Sequence, residues 1–118
     1  MRHAVISLVL ACMGLCAFGG EDGLLVFHMD FNTIQFKKEA VLGILETVAK
    51  NGYNAILWEI ENKVKWESCP EVVASDAFTK DEFREILAAA RHLGLEPIPL
   101  MQTFGHAEYV LDCEKNHA

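Results

Sequence analysis

The sequence predicts an α/β fold, the N-terminal portion of a (β/α)8 TIM barrel with about three strands. Three observations carry that expectation. Short apolar runs at residues 24–28, 55–60 and 95–101 alternate with segments of helical periodicity. A glycine follows each of the two helical segments, Gly52 and Gly94, just before the next apolar run, because glycine takes the left-handed conformation that closes a helix. Each apolar run also ends in polar side chains, and the carboxyl ends of parallel strands are the functional rim of β/α folds. The 118 residues fall short of the roughly 250 that a closed barrel uses, so the chain is expected to be a truncated barrel front.

Residues 1–20 read differently from the rest. Arg2 and His3 precede an apolar run from Ala4 to Cys12, and small residues follow through Ala17, Gly19 and Gly20. That is the order of a secretory signal peptide. The expected organisation is therefore a signal peptide over 1–20 and a barrel segment over 21–118, with export to the periplasm or the medium. The run is too short for a membrane-spanning helix. Val9-Leu10-Ala11-Cys12 loosely resembles a lipoprotein cleavage site, although Leu10 departs from the usual residue there, so lipid anchoring is the minor alternative.

Leu24-Leu25-Val26-Phe27-His28 is a continuous apolar run ending in a polar group, the pattern of a strand buried on both faces. Phe36, Ala40, Val41, Ile44, Leu45, Val48 and Ala49 give one buried face of a helix. Ala55 to Ile60 is the second strand, and the polar stretch Asn62 to Ser75, broken by Pro70, is a long loop. The next helix has the sharpest boundary. Thr79 and Glu82 form a capping box, with Phe78 and Phe83 as the hydrophobic staple around it. Leu95 to Met101 is the third strand, in which Pro97 and Pro99 each lack a ladder donor on the same side.

Net charge is −7 and no basic stripe exists, which argues against nucleic acid. The hydrophobic fraction of 52% argues against disorder. No Gly-x-Gly-x-x-Gly follows the first strand and no Gly-Lys-Ser/Thr loop is present, which disfavours dinucleotide and nucleotide folds. Cys12 and Cys16 lie in the expected signal, leaving Cys69 and Cys113 as incidental thiols without a zinc spacing.

The strand ends supply the candidate site. The first gives His28 and Asp30, the second Glu59, Glu61 and Asn62, the third Gln102, Thr103 and His106. Carboxylates, an imidazole and an amide on one rim can bind sugar hydroxyls in pairs. Trp58 and Trp66 can cover the apolar face of a ring. Blander readings stand beside these. Asp30 can simply cap a turn, Glu59 and Glu61 can be a solvated strand end, a lone His28 can be a buried histidine, and Trp58 fits the core. Gly105 is expected to let the backbone approach closely before His106.

His28-Met29-Asp30, Asn54 to Glu61, and Ile98 through Gly105-His106 to Leu111 come in an order and spacing that resemble glycoside hydrolase family 20, nearest its hexosaminidase D-like branch. The resemblance spans about residues 24–112. It implies a β-N-acetylhexosaminidase barrel that removes terminal N-acetylhexosamine with the substrate's own acetamido oxygen as nucleophile, an exception to the two-carboxylate scheme. It implies no cofactor and no metal, a carbohydrate or glycoconjugate partner, and no transmembrane span. By resemblance His106, Asp30, Glu61, Gln102 and His28 bind substrate or support the site. The catalytic Asp-Glu pair follows the fourth strand in the family, so no catalytic residue is assigned here. Gln102 stands where many members have aspartate, Asn62 where aspartate is common, and no arginine follows the first strand.

Two other functions fit the residues. A metal-dependent barrel hydrolase or isomerase would use His28, Asp30, Glu59, Glu61 and His106 as ligands. A non-catalytic barrel would keep the rim and bind carbohydrate only.

Overall fold

The computed structural model describes residues 23–32, 34–103 and 105–111. The expected signal peptide and Cys113 lie outside those residues. Along the chain come β1 (Val26–Asp30), α1 (Lys38–Lys50), β2 (Ala55–Glu59), a 3₁₀ turn (Pro70–Val72), α2 (Lys80–His92), β3 (Glu96–Leu100) and α3 (Glu108–Leu111).

The strands form one parallel sheet in the order β1-β2-β3. Asp30 is level with Glu59, and Glu59 with Leu100, so all three carboxyl ends share one edge. Sequential order without a reversal is consistent with part of a barrel wall and differs from the 2-1-3 switch of flavodoxin-like sheets.

Alternation along each strand divides the sheet into two faces. Met29, Ile56 and Trp58 face the helices and are buried. They pack with Val41, Leu45 and Val48 of α1 and Phe83, Ile86 and Ala90 of α2. Phe31 stacks on Trp58 at a centroid distance of 6.2 Å, and Phe83 meets Trp58 edge-on at 5.6 Å. Trp58 is therefore core. The other face carries His28, Asp30, Leu57, Glu59 and Ile98, and no described helix covers it.

β1 runs to Asp30, past the His28 end expected from the apolar run. Parallel pairing with β2 continues at every position from Val26 to Asp30, and polar groups on one face do not interrupt a ladder. In β3 the Glu96 N–H donates to Asn54 O at 2.8 Å. Even-numbered amides therefore point at β2. Pro97 and Pro99 fall where an N–H would point to the open edge, which is where proline is tolerated.

α2 begins where the sequence placed it. Thr79 Oγ1 accepts the Glu82 N–H at 3.2 Å, and the Glu82 carboxylate accepts the Thr79 N–H at 2.8 Å. Phe78 and Phe83 are both buried beside this cap. The loop after β2 is tied down by the Lys65 N–H donating to Phe78 O at 2.8 Å and the Phe78 N–H to Lys63 O at 2.9 Å. Gly52 and Gly94 have φ of +86° and +76°, the left-handed helix stops the sequence implied. Among the described residues no helix is long and apolar enough to cross a membrane.

Candidate active site

β2 ends on a carboxylate in an unusual setting. Glu59 closes a run of apolar residues, and only 8% of it is exposed. The solvated-strand-end reading is therefore wrong for Glu59. Its Oε2 lies 2.7 Å from His28 Nε2 on β1, and its Oε1 accepts from Gln102 Nε2, just past β3, at 2.6 Å. One carboxylate thus spans all three strands. A buried carboxylate without partners would carry a large desolvation cost; here each oxygen has one partner.

The arrangement fixes its partners as well. Gln102 is oriented by its amide nitrogen, so its carbonyl oxygen is not spent on Glu59. His28 meets Glu59 through Nε2, which leaves Nδ1 outside that contact. The His28 side chain is 48% exposed, so a buried, satisfied histidine is not what the fold contains. Rather, it is a half-exposed imidazole braced from behind.

Asp30 is exposed and its Oδ1 accepts the Asn32 N–H at 2.7 Å. The turn-capping reading holds for that oxygen. Glu61 follows β2 with φ +40°, a left-handed backbone that costs a residue with a Cβ about 1–2 kcal/mol. Burial pushes its carboxyl above the ordinary glutamate value, and the charges of Glu59, Asp30 and Glu108 add to that, while His106 opposes it. Tyr109 is likewise pushed up, first by burial and then by Glu61.

His106 is exposed and also left-handed, with φ +55°. The expected close approach at Gly105 does not occur: a Cβ there would meet open space, and the strained residue is His106 itself. Non-glycine residues held in this region tend to cluster at functional sites. The structure thus gathers His28 and Gln102 on Glu59, whereas Asp30 and His106 act on Glu61 through their charges.

Asp81-Glu82 is an adjacent acidic pair by sequence, but it opens α2, where Glu82 serves the helix cap. Hydrogen bonds from Thr79 pull the Glu82 carboxyl below its ordinary value, the opposite of what a general acid needs. Among the described residues no group of three or more His, Cys, Asp or Glu side chains is placed to hold a metal ion. The ligand set of the metal-dependent alternative is thus not assembled there. Cys69 is a free, exposed thiol.

Sequence reasoning placed Glu59 on the rim as a sugar-binding carboxylate or metal ligand, and did not foresee that it is buried and braces its neighbours. The available signal was a carboxylate inside an otherwise apolar strand, a position that folds only with partners supplied from elsewhere.

A parallel β/α segment whose polar groups lie at the strand ends defines the class, an α/β segment consistent with part of a barrel. The comparisons agree. The chain is 44% identical to bovine (Bos taurus) hexosaminidase D over 64 residues, which is 53% of this chain and 18% of that protein. It is 35% identical to human (Homo sapiens) hexosaminidase D over 85 residues, 71% of this chain and 18% of that protein. Its fold matches the chitobiase of Flavobacterium johnsoniae with a TM-score of 0.70 at 17% identity, over 80% of this chain and 16% of that one. No protein-family profile matches. The chain is a glycoside hydrolase family 20-like segment, similar to hexosaminidase D. It spans about a fifth of the length of these relatives.

Proposed function

We propose that this segment forms one wall of a β-N-acetylhexosaminidase site, in a protein that removes terminal N-acetylhexosamine from glycans or glycoconjugates. The observation that carries this reading is the Glu59 carboxylate holding His28 on one side and Gln102 on the other at the strand ends. With its partners held, the rim presents an imidazole nitrogen and an amide oxygen at fixed positions. Such groups bind sugar hydroxyls without a reorganisation cost. Asp30, with one oxygen tied to the turn, offers the other to a hydroxyl. Glu61, whose carboxyl burial pushes above the ordinary glutamate value, offers a further acceptor to a hydroxyl. His106 supports the site from the end of the third strand.

The reaction itself proceeds with the acetamido oxygen of the sugar as nucleophile, and needs an Asp-Glu pair to protonate the leaving oxygen and hold the acetamido group. The rim residues bind and orient; they do not supply that pair. A non-catalytic sugar-binding barrel would use the same rim. Turnover separates the two readings.

The binding half is tested on the chain as it stands. Titration with N-acetylglucosamine should move the NMR signals of His28 and His106 saturably, and N-acetylglucosamine should compete better than glucose. No response of either histidine would remove the basis of the proposal. The chemical half predicts that the chain alone does not hydrolyse an aryl N-acetyl-β-glucosaminide, whereas the protein carrying the downstream pair does. Turnover by the 118 residues alone would overturn this division of labour.

Export directed by residues 1–20 is part of the same proposal, and N-terminal sequencing of the protein recovered from cells tests it. A mature chain beginning near Glu21 is expected; retention of Arg2 and His3 would refute export by cleavage.

A further inference from the structure

A second concavity lies beside the rim, between the loops that leave β2 and β3. It has a volume of about 260 Å³ and is lined by Glu61, Trp66, Ser68, Cys69, Met101 and Tyr109, among others. That is slightly below the roughly 300–1,000 Å³ of pockets for drug-sized ligands, so it suits a single ring. Its two aromatic residues come from the loop after β2 and from α3. Trp66 is half-buried and its indole N–H donates to Glu61 O at 3.2 Å, which fixes the ring. Tyr109 opens α3 from the other side, and the Glu61 charge reaches its hydroxyl.

Glu61 joins this pocket to the rim. It lines the pocket and lies two residues past Glu59 at the end of β2, so the pocket opens beside the braced carboxylate. A ligand whose first ring sits on the rim therefore reaches the pocket with its second. Aromatic faces with a carboxyl and a hydroxyl at their border match the two sides of a pyranose, whose C–H face is apolar and whose edge carries hydroxyls. The lining brings no cationic side chain, so an anionic group is disfavoured there.

We propose that the Trp66–Tyr109 pocket is the subsite for the sugar ring next to the one the rim holds, making Trp66 and Tyr109 specificity-determining residues for a substrate of at least two rings. This rests on the rim being a sugar site.

Cys69, free and exposed in the lining, reports occupancy. The 118-residue chain is treated with iodoacetamide and alkylation at Cys69 is followed by peptide mass mapping. The probes are N-acetylglucosamine and its β-1,4-linked disaccharide. The disaccharide should slow alkylation several-fold and the monosaccharide much less. Trp66→Ala should abolish the protection while leaving the monosaccharide-induced shifts at His28 and His106 in place. Circular dichroism checks the fold, and Tyr109→Ala serves as the second variant if Trp66→Ala does not fold. Histidine shifts without protection of Cys69 would overturn the subsite and leave the rim reading standing. So would equal protection by both sugars, or protection that survives in the folded variants. Absence of histidine shifts would instead sink the rim reading and this subsite with it.

Discussion

Glu59 Oε2 lies 2.7 Å from His28 Nε2, joining the second strand to the first on the face that no described helix covers. Gln102 completes the contact from the third strand at 2.6 Å. The consequence is mechanical as well as chemical. The carboxylate is buried, while its imidazole partner is half-exposed, so the orienting group is protected and the oriented group remains available to a ligand.

Replacing Glu59 tests this. Glu59→Ala removes two hydrogen bonds to a charged acceptor, each worth about 1.5–3 kcal/mol at most. His28 and Gln102 are not fully buried and can rehydrate, which offsets much of that. The expected loss is about 1–2 kcal/mol in urea unfolding, together with loss of N-acetylglucosamine binding at the rim. Glu59→Gln, which keeps the shape and an acceptor, should lose less of both. A Glu59→Ala chain that binds the sugar as well as the parent would show that the bracing is incidental.

His106 separates strain from function. Its left-handed backbone costs about 1–2 kcal/mol, whereas glycine loses roughly 0.5–1 kcal/mol more in chain entropy on folding. The two nearly cancel, so His106→Gly should leave stability within about 1 kcal/mol of the parent. Sugar binding should fall with either His106→Gly or His106→Ala. In a protein that carries this segment together with the Asp-Glu pair, His106→Ala should lower turnover by orders of magnitude with the fold retained, as for loss of an electrostatic contact to the reacting group. Unchanged kinetics would demote His106 to a surface residue.

The fold was more legible than the site, and the difference lies in range. The start of α2 could be read directly because Thr79, Glu82, Phe78 and Phe83 are neighbours in sequence and act on each other within one turn. Gly52 and Gly94 were legible for the same reason. The extension of β1 to Asp30 was not, since it follows from pairing with β2 and not from local polarity. Burial of Glu59 depends on partners 31 and 43 residues away. His106 was found through its resemblance to a family motif, but its strained φ could not be: the neighbouring glycine drew the expectation instead.

The α2 cap gives a local test of stability. Thr79→Ala removes the acceptor of the Glu82 N–H and should cost about 1 kcal/mol, read as a lower urea midpoint with an unchanged slope. The cap also sets an acid limb. Because Thr79 holds the Glu82 carboxyl below its ordinary value, the stability it provides is present above the ordinary glutamate value and is lost as pH falls through the lowered one. Thr79→Ala keeps the backbone N–H, which is the larger cause, and removes only the hydroxyl; Glu82→Gln, which removes the ionisable group, should therefore flatten the acid side of the stability profile more than Thr79→Ala does. An unchanged acid limb would show that other carboxylates govern it.

Glu61 sets the opposite dependence. Burial raises its carboxyl in the folded state, with Glu59, Asp30 and Glu108 contributing, while in the unfolded chain it titrates normally. The unfolded state then releases its proton first. Stability linked to Glu61 is fully present below the ordinary glutamate value and is lost as pH rises through the raised one. At neutral pH the parent bears the cost of an ionised carboxylate among like charges, and Glu61→Gln does not. Glu61→Gln should accordingly be more stable than the parent at neutral pH, with the gap closing below the ordinary glutamate value. Glu108→Gln should close only part of that gap, because burial is the larger cause. Urea midpoints measured across the acid and neutral range decide the matter. If Glu61→Gln is instead the less stable chain at neutral pH, the ionised carboxylate is held by a favourable contact, and its role at the rim is that of a fixed anion.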